Sequence, residues 1–124
     1  MPISFHYDRG KKIIYGTMTG QITEDEFQAS LQEILQSEHF PPETRTLWDL
    51  RELDFSTIDT LLEKRLINIR RKYPERGRAR IAFIVASDLG FGMGRMYEIL
   101  SEDLPQTIRT FRNYSEGEDW LLGQ

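Results

Sequence analysis

The segment that most restricts the fold is the unbroken apolar run Ile81-Ala82-Phe83-Ile84-Val85-Ala86. It is short for a helix and rich in β-forming residues, so it reads as a strand. An extended chain that is apolar at every position is apolar on both faces, and each face has to be covered. Strands of this kind occur in sheets flanked by helices, which places the chain in the α/β class.

The segments on either side supply that cover. Ile3, Phe5 and Tyr7 alternate with polar residues in the period of a half-buried strand, and His6 is expected to face outward. The stretch Asp8-Arg9-Gly10-Lys11 reads as a turn in which Gly10 is free to take positive φ. Residues 12–18 resume a strand, so the chain opens with a hairpin closed by Gly20. Thr23-Glu24-Asp25-Glu26 is a capping box ahead of the stripe Phe27, Leu31, Ile34 and Leu35, and Pro41-Pro42 stops that helix. Thr46-Leu47-Trp48-Asp49-Leu50 is a short strand. The residues from Asp54 to Thr57, with hydroxyls at Ser56 and Thr57, offer caps for a second helix. Its expected stripe is Ile58, Leu61, Leu62, Leu66, Ile69 and Tyr73, and Pro74 and Gly77 end it.

After the apolar run, Met93, Met96 or Tyr97, Leu100 and Leu104 mark a third helix before Pro105. Residues 107–114 alternate as a last strand. Ser115-Glu116-Gly117-Glu118 reads as a second capping box opening a terminal helix with Trp120, Leu121 and Leu122. The order β-β-α-β-α-β-α-β-α implies one mixed, mostly parallel sheet with flanking helices, a single domain over residues 1–124.

Composition removes several function classes. Absence of cysteine excludes disulfides, thiolate metal sites and thiol nucleophiles. Residues 1–6 lack the basic and apolar regions of a signal peptide, and no apolar stretch approaches the roughly 20 residues of a membrane span. A cytoplasmic protein is expected. Net charge is -4, yet residues 64–80 carry eight basic side chains against one acid, Glu75. Arg70, Arg71 and Lys72 are its candidate anion patch, set against the plainer reading of a solvated helix end. The acidic pI of about 5.2 argues against a nucleic-acid partner.

Few residues suggest chemistry. The loop Gly90-Phe91-Gly92-Met93-Gly94-Arg95 follows a buried strand and leads into a helix, a place where free amides can cradle an anion and Arg95 can pair with it. Its spacing is neither a Walker loop nor a dinucleotide fingerprint. Packing of Phe91 and Met93, or an exposed Phe91 anchoring a partner, explains it as well. Asp49, Glu52 and Asp54 gather carboxylates near a strand end, where solvation or ion pairing is the ordinary fate. His6 and His39 stand apart. No nucleophile-base-orienter set is present, so neither an enzyme nor a cofactor or metal is expected.

The element order, the stretch Leu47-Trp48-Asp49-Leu50-Arg51-Glu52-Leu53-Asp54-Phe55, the run from Arg80 to Ala86 and the closing Trp120-Leu121 together resemble the STAS domains. Within these the chain is most similar to the SpoIIAA-like branch, the bacterial anti-sigma factor antagonists. The resemblance spans nearly the whole chain and rests on soft patterns. It implies a regulatory, non-enzymatic module with a protein partner, and a homodimer is compatible with it. By that resemblance Ser56 or Thr57 would take a regulatory phosphate at the start of the second helix. The family's Asp-Ser-Gly pattern is replaced here by Asp54-Phe55-Ser56-Thr57, which favours capping without modification. The alternative is a carrier or sensor of a small amphipathic, lipid-like ligand between sheet and helices. Such a protein needs a pocket lined by residues such as Phe55, Leu62, Phe91, Met93 and Tyr97, whereas an interaction module needs a filled core and an exposed apolar patch.

Overall fold

The apolar run forms β4 (Arg80–Ile84), an interior strand paired in parallel with β3 (Arg45–Asp49) on one side and β5 (Thr107–Phe111) on the other. Ile81 to Val85 are buried without exception. The computed structural model describes residues 2–37, 40–41, 43–74 and 77–123. His39, Pro42, Glu75 and Arg76, which enter the sequence reading, lie outside the described residues.

The sheet runs β1-β2-β3-β4-β5 in chain order, so the middle strand is β3 and not β4. β1 (Ile3–Asp8) and β2 (Ile13–Met18) form the antiparallel hairpin, and every later pairing is parallel. Positive φ in the hairpin loop falls on Lys12 (57°), not on Gly10, and the Lys12 amide closes the loop by donating to the Asp8 carbonyl at 2.7 Å. The three parallel crossovers carry α1 (Glu24–Gln36), α2 (Thr60–Arg71) and α3 (Asp88–Leu100). All three step the same way across the sheet, and the right-handed rule therefore stacks these helices on one face. The opposite face is covered by α4 (Tyr114–Leu121), which packs on β3, β4 and β5.

Two apolar layers follow. Ile14, Met18, Trp48, Ile81, Phe83, Val85 and Ile108 meet Phe27, Leu31, Ile34, Leu66, Ile67 and Tyr97 from the three helices. Ile13, Leu47, Ala82 and Ile84 meet Leu121 of α4. Close approach within the larger layer requires glycine: a Cβ on Gly16 would lie 2.2 Å from the Trp48 ring on the neighbouring strand.

Helix starts agree with the sequence only in part. The Thr23 hydroxyl and Glu26 carboxylate form the expected reciprocal box at 3.1 and 2.9 Å. The second helix is not capped by Ser56 or Thr57. These residues belong to a separate 3-10 turn, Phe55–Thr57, and α2 starts later, with Asp59 accepting from the Leu62 amide at 2.8 Å. The last helix begins at Tyr114 under Asn113, not at Ser115, so the final strand is shorter than expected.

Replacing Phe83 by Ala is expected to cost about 3–5 kcal/mol, because a buried ring edge-on to Tyr97 at 5.3 Å leaves a cavity. Replacing Asp59 by Ala should cost about 0.5–2 kcal/mol, and Ser56 or Thr57 by Ala less than about 0.5 kcal/mol. Urea unfolding of the four variants checks both statements. An Asp59 variant as stable as the wild type would contradict the assigned cap.

Candidate functional site

α2 buries Leu66 and Ile69 as the sequence predicts, but its inward face also takes in charged residues. Its buried residues are Glu63, Leu66, Ile67, Ile69 and Arg70, while Leu61, assigned to the inward stripe by sequence, is exposed. Residues 63, 66, 67 and 70 share one side of a helix by their spacing. Two charged side chains therefore enter the layer between sheet and helices. Glu63 is 3% exposed and Arg70 5% exposed.

They line a cavity walled by the 3-10 turn and the sheet, with α1, α2 and α3 above it. Phe27, Leu50, Leu53, Phe55, Phe83 and Met93 supply much of its wall, and Gly94 and Tyr97 close the α3 side. Its interior offers about 50 Å³ to water-sized molecules. At roughly 10–15 Å³ for each water, that is room for a few waters and not for a lipid chain. Phe55, Met93 and Tyr97 are where the ligand-carrier reading places them. Leu62 and Phe91 are not among the lining residues.

The polar geometry is specific. Arg70 Nε donates to the Tyr97 hydroxyl at 2.6 Å, and the guanidinium lies 5.3 Å from the Phe27 ring centre and 5.7 Å from that of Tyr97. Glu63 Oε1 has no hydrogen-bond partner among the described residues. Burial lifts the Glu63 carboxyl from its ordinary 4.5 to about 7. Burial also raises the Tyr97 phenol, against the opposing pull of Arg70.

The anion patch read from sequence does not assemble. Arg70 is inside. Arg71 turns to Asp103, with both carboxylate oxygens at 2.8 Å from its Nη2, and to Asn68 at 2.5 Å. Lys72 is exposed just past the end of α2. The glycine segment is no loop either: Gly90, Phe91, Gly92, Met93, Gly94 and Arg95 all lie within α3, whose first amides are served by Ser87, with Asp88 opening the helix. The physical reason for Gly94 is proximity, since a Cβ there would lie 2.6 Å from the Thr110 side chain of β5. Gly92 faces open space. Phe91 is half-buried under the Arg112 guanidinium, 4.5 Å from its ring centre, and Arg95 pairs with Glu98 at 3.1 Å.

Among the carboxylates, Asp49 is held below its usual range by the Arg51 side chain, whose Nη2 donates at 2.7 Å. Asp54 is lowered by hydrogen bonds from Ser56, whose hydroxyl and amide lie 2.5 and 3.0 Å away. Thr57 donates to the Asp54 carbonyl at 2.9 Å. No metal-binding cluster of acids and histidines occurs among the described residues. Sequence reasoning missed Glu63. Its one available signal was the spacing that sets it on the same face as Leu66, Ile67 and Arg70.

Between about pH 4.5 and about pH 7 the folded protein holds a proton on Glu63 that the unfolded chain releases. Stability from this group therefore falls as pH rises through that window, and the full cost stands above pH 7. Changing Glu63 to Gln is expected to stabilise the protein at pH 8 and to make little difference at pH 5. Urea unfolding at the two pH values measures this, and equal gains at both would show that burial does not hold the proton.

No protein-family model matches the chain, and no curated protein is detectably similar to it in sequence. Among solved structures, it is similar to the crystal structure of an uncharacterised protein from the DUF3478 family with a SpoIIAA-like fold, from Shewanella loihica PV-4. Identity is 20%, the match covers 96% of this chain and 93% of that one, and the TM-score is 0.66. A likeness at that identity speaks to architecture alone. The chain has the STAS/SpoIIAA-like fold: a single mixed five-stranded sheet with four flanking helices.

Proposed function

We propose that this domain is a non-enzymatic interaction module that docks a protein partner through the outer side of α3 and the start of α2. The observation that carries this reading is exposed apolar surface. Leu89, Met96 and Ile99 on α3 are 53%, 39% and 56% exposed, and Leu61 on α2 is 56% exposed. The spacing of residues 89, 92, 96 and 99 sets them along one side of α3, where Gly92 adds no side chain to block approach. α2 and α3 pack together, and large apolar side chains grouped on neighbouring helices mark interaction surfaces. Charged Asp88, Arg95 and Glu102 flank the α3 stripe as a polar rim does at an interface.

Phosphate switching at Ser56 or Thr57 is disfavoured in this reading. The Ser56 hydroxyl already donates to the Asp54 carboxylate, and a phosphate there would set two negative groups side by side. A second reading, a sensor of a small amphipathic ligand, draws support from one feature, the cavity that holds Glu63 and Arg70.

Native mass spectrometry of the protein purified from its own host, beside a Leu89→Arg, Ile99→Arg variant, tests the first reading. A partner bound in fixed stoichiometry by the wild type should be lost from the variant while its unfolding midpoint is retained. A complex that survives the double substitution contradicts docking through α3.

A further inference from the structure

We propose that the cleft where β3 and β4 begin, beside the end of α4, receives a small phosphomonoester, its doubly charged phosphate held by Arg45, Arg78 and Arg80. The site lies across the sheet from the docking face on α3 and is independent of it. Arg78 and Arg80 close the basic segment 64–80, and Arg45 joins them from the neighbouring strand. β3 and β4 pair from Thr46 against Ile81, so Arg45 and Arg80 stand side by side one position earlier. Strand alternation puts both on the α4 face with Leu47 and Ala82. Neighbouring strands lie about 4.8 Å apart, and two cations rooted at that spacing repel.

The repulsion is answered only in part. Arg45 Nη1 donates to the Leu121 carbonyl at 2.5 Å, and Arg80 Nη1 donates to the Trp120 carbonyl at 3.0 Å. These bonds set both guanidiniums at the negative end of α4, and the Trp120 ring centre lies 5.4 Å from that of Arg80. A guanidinium has several further N–H groups to serve. Among the described residues, none of the three arginines has an ion pair, and the Arg78 side chain has no hydrogen bond. Glu43 is the one acid among the lining residues, and its Oε2 already accepts from the Arg78 backbone amide at 3.0 Å. The cleft is left with a surplus of two positive charges.

That surplus selects the ligand. A phosphomonoester carries about -1.5 to -2 at neutral pH and offers three acceptor oxygens, which suit forked guanidinium donors. A carboxylate would leave one positive charge unanswered. The cleft holds about 440 Å³, within the roughly 300–1,000 Å³ of small-molecule sites. An organic body therefore enters with the phosphate, against Leu121 and Leu122. The large apolar side chains exposed among the described residues, Leu61, Leu89, Met96 and Ile99, all belong to α2 and α3. The cleft has no such rim to enter a bilayer, so a soluble ester suits it better than a lipid headgroup.

Titration with phenyl phosphate, benzoate and a phosphoserine peptide, followed by amide NMR shifts at low salt, tests the assignment, beside sedimentation with vesicles containing phosphatidic acid. Phenyl phosphate should move the amides of residues 43–45, 78–80 and 121–123. It should bind roughly tenfold more tightly than benzoate, which forgoes a charge-assisted hydrogen bond. Its affinity should rise from pH 5 to pH 7, as the second phosphate proton leaves near pH ~6. Arg78→Gln should weaken phenyl phosphate about tenfold and leave the urea midpoint unchanged. Arg45→Gln and Arg80→Gln should weaken it as much and also loosen the end of α4; if either fails to fold, Arg78→Gln decides. No binding of any probe, or an Arg78→Gln protein as competent as the wild type, would leave the arginines serving α4 alone and overturn the proposal. Benzoate bound as tightly as phenyl phosphate would overturn the dianion. Peptide or vesicles bound with phenyl phosphate silent would overturn the small ester.

Discussion

A single buried guanidinium ties three elements of this domain together. Arg70 leaves α2, passes the Phe27 ring of α1 and bonds the Tyr97 hydroxyl of α3, and Tyr97 in turn stands edge-on to Phe83 of the sheet. Because the crossovers all wind the same way, α1, α2 and α3 have to meet on one face. The groups where they meet therefore set how closely they approach. A neutral side chain of the same reach would fill the space without orienting it. The cation is satisfied only by acceptors in line with its N–H groups and by ring faces, which fixes the relation of the helices more tightly than apolar contact would.

Much of this architecture was legible beforehand. A strand apolar on both faces demanded helices above and below, and the alternation of strands and helices supplied them in the right order. Thr23 and Glu26 read correctly because a capping box needs two residues at a fixed spacing. The other starts were less determined. Asp54, Ser56, Thr57 and Asp59 are all competent caps within one short stretch, and nothing local selects Asp59 over the rest. Asn113 and Ser115 present the same ambiguity. Chain entry into the helix, set by tertiary packing, makes the choice.

The site was far less legible, for one physical reason. Inward stripes follow from counting apolar residues, which places Leu61 inside, sets Arg70 in a surface anion patch and passes over Glu63. The stripe holds at Leu66 and Ile69, which are buried, but Leu61 is exposed and the inward face extends through Ile67 to Glu63 and Arg70. α3 inverts the rule still further. Its buried residues are Gly90, Gly94 and Tyr97, Gly94 lets the helix lie close to β5, and several of its large apolar residues point outward.

That inversion bears on how α3 behaves as well as on how it packs. Glycine is about 1 kcal/mol less favourable than alanine in a helix interior, and α3 carries three within its first half, at 90, 92 and 94. As an isolated peptide this segment would have little helical content. Its order comes from Ser87 at one end and from contact with the sheet along its length. A helix held in this way opens locally at low free energy, while α2, without glycine, holds its shape. Of the three helices that wall the cavity, α3 is thus the one whose backbone opens most readily, so one side of that space is softer than the others.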